Sequence, residues 1–388
     1  MVAIMSLRKR VDRLLKGFER EFSPQNRIEV SRSALIHNLE VFREVSGKPV
    51  IPVLKGNAYG HGIDVVAYAL KDQDLPYVAV DGYFEALRIR EVCDQPVLIM
   101  GAIKPGNFAH MKYDKFAFVV HGEAAINALG KTGKKIKLHL ECNTGMNRMG
   151  AQPEDVAALA QLILTYKNLE LEGVMSHLAD SDGSDPATVQ LADDKFDDCI
   201  EAIRRAGGKP RIIHIAQTAG AVKSMSKYAN AVRLGIGLYG INPFPFQHPL
   251  HRKLRSLHPA MRLVSTVTQV FELEKGDKVS YNYTFTAPRR MKVGVLPLGY
   301  YEGLNRALSN AGVVKLGEKY LPVVGRVCMN HTMIGIGAAT VNEGDEVVVY
   351  SNYSDDKNGI DRVAAEHGLF NYNLLTALSH DLRRILIP

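Results

Sequence analysis

The spacing of apolar residues along this chain follows one rule up to about residue 255 and another after it. From about residue 27, short runs that are apolar almost throughout alternate with longer stretches whose apolar residues recur every three or four positions. The short runs are IPVLK (51–55), YVAV (77–80), VLIM (97–100), AFVV (117–120), KLHLE (137–141), GVMSH (173–177), IIHIA (212–216) and AVRLG (231–235). The longer ones include IDVVAYALK, FEALRIREV, PEDVAALAQLILTY and VQLADDKFDDCIEAIRRAG. Strands apolar on both faces are covered by helices outside and filled by side chains inside. Eight such strands alternating with helices predict an α/β protein built on a TIM-like (β/α)8 barrel over 27–255; a doubly wound open sheet is the alternative.

After about residue 256 the texture changes. RLVSTVTQVFEL, GDKVSY, MKVGVLPLG, LPVVGRVCM and GDEVVVY read as strands, separated by the turn signals EKGD, KLGEK and NEGD. Helical stretches return only at DRVAAEHG and NYNLLTALSH. This predicts a second, mainly β domain over 256–388. A length of 388 residues is itself beyond one usual core.

The net charge of +7 raises the question of nucleic acid. Six cationic and two acidic side chains in the first twenty residues leave only +3 for the rest. The excess belongs to a basic, helical arm over 1–26 and not to a binding face, so no nucleic-acid partner is expected. No run of eighteen apolar residues occurs, and the first residues lack an apolar signal core, so a cytoplasmic protein without a membrane contact is expected. Cys93, Cys142, Cys199 and Cys328 form no CxxC pair, which fits reduced thiols and no zinc site.

In such a barrel the C-terminal strand ends form the active face. Lys55 ends the first strand there, Glu141 the fifth and His177 the sixth; Thr218 follows the seventh, and Arg233 lies in the eighth ahead of Gly235 and Ile236. Arg148 falls in the loop after the fifth. Each has a plain structural reading: a lysine reaching solvent, a satisfied histidine, a salt-bridge arginine, turn glycines at 56, 60 and 62. All of these would have to hold at one rim. Taken together, a lysine in a partly dry pocket can attack a carbonyl. The Thr218 hydroxyl and the amides of Gly235 and Ile236 suit an anion. A lysine for a carbonyl, donors for a phosphate and an arginine between them describe a pyridoxal 5′-phosphate site.

VLKGNAYGHG (53–62) is similar to the cofactor-lysine segment of the alanine racemase family. NTGMNRMG (143–150), GVMSHLADSD (173–182), AVRLGIGLYG (231–240), VSYNYTF (279–285), PLGYYEG (297–303) and VGRVCMN (324–330) follow in that family's order. The resemblance implies that Lys55 holds pyridoxal 5′-phosphate as a Schiff base and serves as one acid/base, with Tyr281 as the other. It implies that Tyr59, Thr218, Gly235, Ile236 and Tyr372 bind the phosphate. Arg233 would face the pyridine nitrogen, oriented by His177. Arg148 would lie by the ring hydroxyl and the substrate carboxylate, and Met329 and Tyr300 would line the substrate pocket. The family's homodimers share active sites, so a homodimer acting on a small amino acid is expected.

The sequence departs from the family in three places. Alanine-specific members commonly carry a carbamylated lysine two residues before the aspartate of DTGM. The matching positions here are Glu141 and Asn143. Glu141 is expected to supply the negative charge near Arg148 without carbon dioxide, the alternative being that it faces solvent. Asn330 and Asn282 replace the usual aspartate of CMD and glycine of VSYG, which leaves a broad-spectrum racemase as the nearest alternative. A fold-related decarboxylase is disfavoured by Arg233, and a non-catalytic binding protein by the β domain. DSDGSD (180–185) resembles part of a calcium loop, but its glycine is misplaced and the closing glutamate is missing, so an ordinary loop and no metal are expected.

Overall fold

A computed structural model describes residues 23–113 and 115–388; nearly all of the expected N-terminal arm, residues 1–26, lies outside them. All eight apolar runs form strands. Val78–Val80, Val97–Ile99, Phe116–Val120, Ile136–Glu141, Leu169–Met175 and Ile212–His214 pair in sequence order, all parallel. Val50–Pro52 pairs in parallel with Val232–Leu234. A parallel bridge between Val53 and Ala79 joins the first strand to the second, and Arg233 N donates to Ala216 O at 2.9 Å beside the seventh. The strands thereby close into the (β/α)8 barrel. Ile51, Ala79, Leu98, Val119, Met175 and Ile212 pack inside it.

The helices outside end where their sequences say. Ser31 Oγ accepts from Ala34 N at 3.2 Å to start Arg32–Ser46, and Gly47, at φ 60°, ends it. In DSDGSD, Asp185 accepts from Ala187 N at 2.8 Å and Pro186 opens the helix Pro186–Arg205; Asp180 accepts from Thr188 Oγ1 at 3.2 Å. These two carboxylates serve the loop and the helix start.

The mainly β region contains antiparallel sheets. In one, Lys319–Pro322, Val313–Leu316, Glu346–Tyr350 and Met261–Thr266 pair in that order, and Asn26–Ser31 and Arg383–Ile387 complete it. Another holds Gln269–Leu273, Met291–Leu296 and Thr332–Gly335, and a short hairpin pairs Lys278–Val279 with Phe285–Thr286. The run LPVVGRVCM is strand only at its start. Residues 324–330 are irregular.

The chain divides into two compact units, and neither is one continuous stretch. The barrel unit holds Glu29–Arg262, Ser351–Leu378 and Leu386–Pro388. The β unit holds Leu263–Tyr350 and Ser379–Ile385 with the described residues up to Ile28. The helices Ile360–His367 and Asn371–Thr376 therefore group with the barrel and not with the β region that precedes them in sequence. Among the described residues, no helix is long and apolar enough to cross a membrane.

Candidate active site

Lys55 stands three residues beyond the first strand, half-buried, where the chain enters a left-handed turn. Gly56 (φ 62°, ψ 43°), Asn57 (54°, 46°) and Ala58 (54°, 50°) lie in the αL region, followed by Tyr59 at φ 51°. Three consecutive non-glycine residues there are costly, so the surroundings must hold them. Ala58 N donates to Leu54 O at 2.8 Å and Gly62 N to Asn57 O at 2.9 Å, while Asn57 Oδ1 accepts from Ile63 N at 3.0 Å. A Cβ on Gly60 would stand 2.0 Å from Leu375 O, so the turn lies flush against the Asn371–Thr376 helix. That contact brings the Tyr372 ring within 6.0 Å of the Tyr59 ring.

The Tyr59 hydroxyl is thereby aimed at Gly235, where a Cβ would come within 2.6 Å of it; Thr218 Oγ1 is 3.9 Å from the same point. Thr218 Oγ1 also accepts from Gly237 N at 3.3 Å, beside the 3₁₀ turn that begins at Ile236. Burial raises the Tyr59 phenol's pKa, with Tyr372 adding to it. Burial pushes Tyr372 up to about 12, with Asp182 adding. Both phenols are therefore neutral donors at ordinary pH, and the lack of a side chain at Gly235 is what lets the Tyr59 hydroxyl approach so closely.

Arg233, 2 % exposed, is held by five acceptors. Nη1 donates to His214 Nδ1 (2.7 Å) and His214 O (3.0 Å). Nη2 donates to Ser176 O (2.6 Å), Ile215 O (3.0 Å) and His177 Nδ1 (3.1 Å). A guanidinium only donates, so both Nδ1 atoms are unprotonated and each neutral ring carries its proton on Nε2. From His214 the assignment propagates: Nε2–H donates to His139 Nδ1 at 2.8 Å, which puts the His139 proton on Nε2 as well. That nitrogen has no hydrogen-bond partner; Glu172 Oε2 is 3.8 Å from it, a charge contact longer than a hydrogen bond. Glu172, fully buried, accepts from Tyr77 OH, Lys137 Nζ (2.7 Å) and Arg211 Nη2 (2.6 Å). Burial alone would raise its pKa, but the contacts from His139, Lys137, Tyr77 and Arg211 hold it below the usual carboxylate range.

His177 is brought down to about 3, first by burial and then by Arg233, Arg148 and Lys55. The charges of all three cations therefore act on one ring, and Arg233 touches it directly. Burial lowers Arg233 to about 10, with the Glu141 charge opposing. Glu141 is 6 % exposed, which excludes the solvent-facing reading; burial raises its pKa, and Arg233, His121 and Arg148 pull it back. Asn143 keeps the turn that follows: its Oδ1 accepts from Asn147 N (3.0 Å) and Gly145 N (3.2 Å), and its amide donates to Asn147 Oδ1 (2.8 Å). Arg148 itself is exposed.

In the β unit three motifs meet. Ser280, at φ 65°, donates through Oγ to Arg326 O at 2.7 Å. Tyr300 N donates to Cys328 O at 3.0 Å, and a Cβ on Gly299 would come within 2.2 Å of that oxygen. Asn330 Nδ2 donates to Glu302 Oε1 at 2.7 Å. Tyr281 (69 % exposed), Met329 (54 %) and Tyr300 (44 %) thus stand on one stapled loop cluster. Asn282, at φ 60°, occupies a left-handed position that asparagine tolerates better than most residues, which accounts for its standing where the family has glycine.

The sequence reading missed His214, His139 and Glu172. Their signal is a histidine in the middle of an otherwise apolar strand, in KLHLE and IIHIA; an inward-facing polar residue in a filled barrel needs a partner.

Residues 30–243 match the family model described as alanine racemase, N-terminal domain, and residues 260–386 the one described as alanine racemase, C-terminal domain. The alanine racemase 2 of Caldanaerobacter subterraneus subsp. tengcongensis is 32% identical over 370 residues, covering 93% of this chain and 94% of that protein. The alanine racemase of Methanococcus maripaludis is 31% identical over 368 residues, 92% of this chain and 98% of that protein. The crystal structure of alanine racemase from Bacillus anthracis with bound L-Ala-P superposes with a TM-score of 0.84 at 28% identity, covering 95% of this chain and 96% of that one. Matches that run through both units place this chain in the alanine racemase family, whose members depend on pyridoxal 5′-phosphate.

Proposed function

We propose that this chain interconverts L- and D-alanine with Lys55 and Tyr281 as bases on opposite faces of the substrate, and that pyridoxal 5′-phosphate binds in the barrel unit. The observation that carries this is Arg233, bonded to His177 at 3.1 Å and two residues ahead of the Tyr59–Thr218–Gly235 cradle; the charges of Arg148 and Lys55 also act on His177. The residues fit the cofactor: Lys55 would anchor its aldehyde, and Tyr59, Thr218, Gly235, Ile236 and Tyr372 would hold its phosphate. Arg233 would face its ring nitrogen. With Nη1 and Nη2 committed to five acceptors, Nε–H is the guanidinium donor that makes no hydrogen bond among the described residues. When bound, the cofactor withdraws electrons from the amino acid's Cα and acidifies its proton.

The protein's own groups then decide the outcome. A single base returns a proton to the face it came from; inversion needs a second on the other face. Lys55 would hold one proton position and Tyr281 the other. Arg233 can donate but never accept, so it leaves the ring nitrogen unprotonated and tempers the electron withdrawal. Arg148 would orient the substrate carboxylate, with Glu141 as its fixed counter-charge and Met329 and Tyr300 as walls. We further propose a homodimer in which each site takes its tyrosine from the partner.

The test is a racemisation assay over alanine, serine, lysine and arginine. Lys55→Ala should abolish both activity and the reconstituted protein's visible absorbance. Tyr281→Phe should keep the absorbance and slow exchange in at least one direction by about 10²–10⁴-fold. Mixing the two inactive variants should restore part of the activity if sites are shared. Added bicarbonate should leave the rate unchanged if Glu141 supplies the charge. Full activity of the Phe variant would sink the two-base assignment.

A further inference from the structure

The opposite mouth of the barrel carries a second feature, independent of the racemase reading. Six strands run parallel from Val78–Val80 to Ile212–His214, so their first residues share the end away from Lys55, Glu141 and His177. A cavity of about 510 Å³ opens there. Its walls are the residues that precede or begin those strands, Tyr77, Pro96, Phe116, Ile136, Leu169 and Arg211. Small-molecule sites span about 300–1,000 Å³, so the volume suits one such ligand.

Among the described residues, five cations, Lys115, Lys135, Lys137, Lys167 and Arg211, line this cavity against one lining carboxylate, Glu170. Lys137 and Arg211 share the buried Glu172 beneath them. Lys115 pairs with Asp94, which also takes Arg90 at 2.7 Å. Lys135 and Lys167 have no carboxylate within 4.0 Å among the described residues. A solvated surface spreads its cations and intersperses acids. Here they gather around a concave space, where like charges raise the potential and favour entry of an anion. The two tied to Glu172 keep donors beyond the single hydrogen bond each makes to it, since an ammonium has three and a guanidinium five.

We propose that this mouth binds a small polyanion, a phosphate ester or a polycarboxylate, with Lys135 and Lys167 as its principal contacts and Lys115, Lys137 and Arg211 around it. The test is calorimetric titration of the cofactor-loaded protein at low salt with inorganic pyrophosphate and with citrate. Loading occupies the proposed phosphate cradle, so the heat reports the other end of the barrel. The expected result is one site per chain, weakened by salt, with affinity about tenfold lower or more in a Lys135→Ala/Lys167→Ala double variant. Both lysines are exposed, so that variant keeps the fold. Tighter binding of pyrophosphate identifies a phosphate ester, and tighter binding of citrate a polycarboxylate. The proposal is overturned if neither probe binds, if the double variant binds as well as the parent, or if a single-stranded oligonucleotide binds more tightly than both.

Discussion

Arg233→Lys is a conservative change in charge and a drastic one in geometry. The guanidinium meets five acceptors: His214 Nδ1, His214 O, Ser176 O, Ile215 O and His177 Nδ1. Nη1 and Nη2 bring four N–H groups to these acceptors, one of them shared, whereas an ammonium has three, so at least one acceptor in the barrel interior loses its partner. Hydrogen bonds to a charged group are worth about 1.5–3 kcal/mol each, which puts the loss at about 1.5–3 kcal/mol or more. For a unit of this size that corresponds to a fall in unfolding temperature on the order of 5 °C. Differential scanning calorimetry of the cofactor-free protein and its Lys variant at one pH and one concentration reads it directly. A fall of less than about 2 °C would refute the claim that the five-acceptor geometry, and not the charge alone, holds this rim together.

Two further outcomes follow from the same region. His177, held near 3 by burial and by Arg233, Arg148 and Lys55, should stay neutral with its proton on Nε2 from pH 8 down to pH 5 in the cofactor-free protein. An unfolded histidine takes a proton below about 6.5, so stability falls as pH drops through that value, by about 2 kcal/mol at pH 5. Histidine ¹⁵N spectra assigned with His177→Gln check it, and a titration midpoint near 6.5 contradicts it. Gly60→Ala should destabilise the barrel unit by about 2 kcal/mol or more, since φ is 84° and the new Cβ meets Leu375 O at 2.0 Å; an unchanged thermal midpoint would show that the turn can move off the helix.

Much of this was legible from spacing alone. The eight strands were readable because a filled barrel demands runs such as VLIM and AFVV that are apolar on both faces. Their C-terminal ends then selected Glu141, His177 and Arg233 by topology. Lys55 was placed in the strand and lies three residues past it, because the left-handed turn that receives it has no local signature beyond its glycines. The return of Ser351–Leu378 to the barrel unit was invisible for a different reason. Amphipathic helices record that one face is buried, not against which partner. The His214–His139–Glu172 series was missed because its members are far apart in sequence, and a hydrogen-bond chain across neighbouring strands leaves no periodic trace.

The turn at residues 56–59 also bears on how a ligand would be received. A left-handed L-residue costs about 1–2 kcal/mol, so Asn57, Ala58 and Tyr59 together hold several kcal/mol of conformational strain. Folding sustains that strain through bonds to Leu54, Gly62 and Ile63, before any ligand arrives. A molecule that grips the Tyr59 hydroxyl therefore meets a donor already in position and bears none of the cost of placing it. Conversely, a chain whose barrel is only partly assembled has nothing to sustain the turn. Ligand capture at this rim thus becomes a reporter of completed folding.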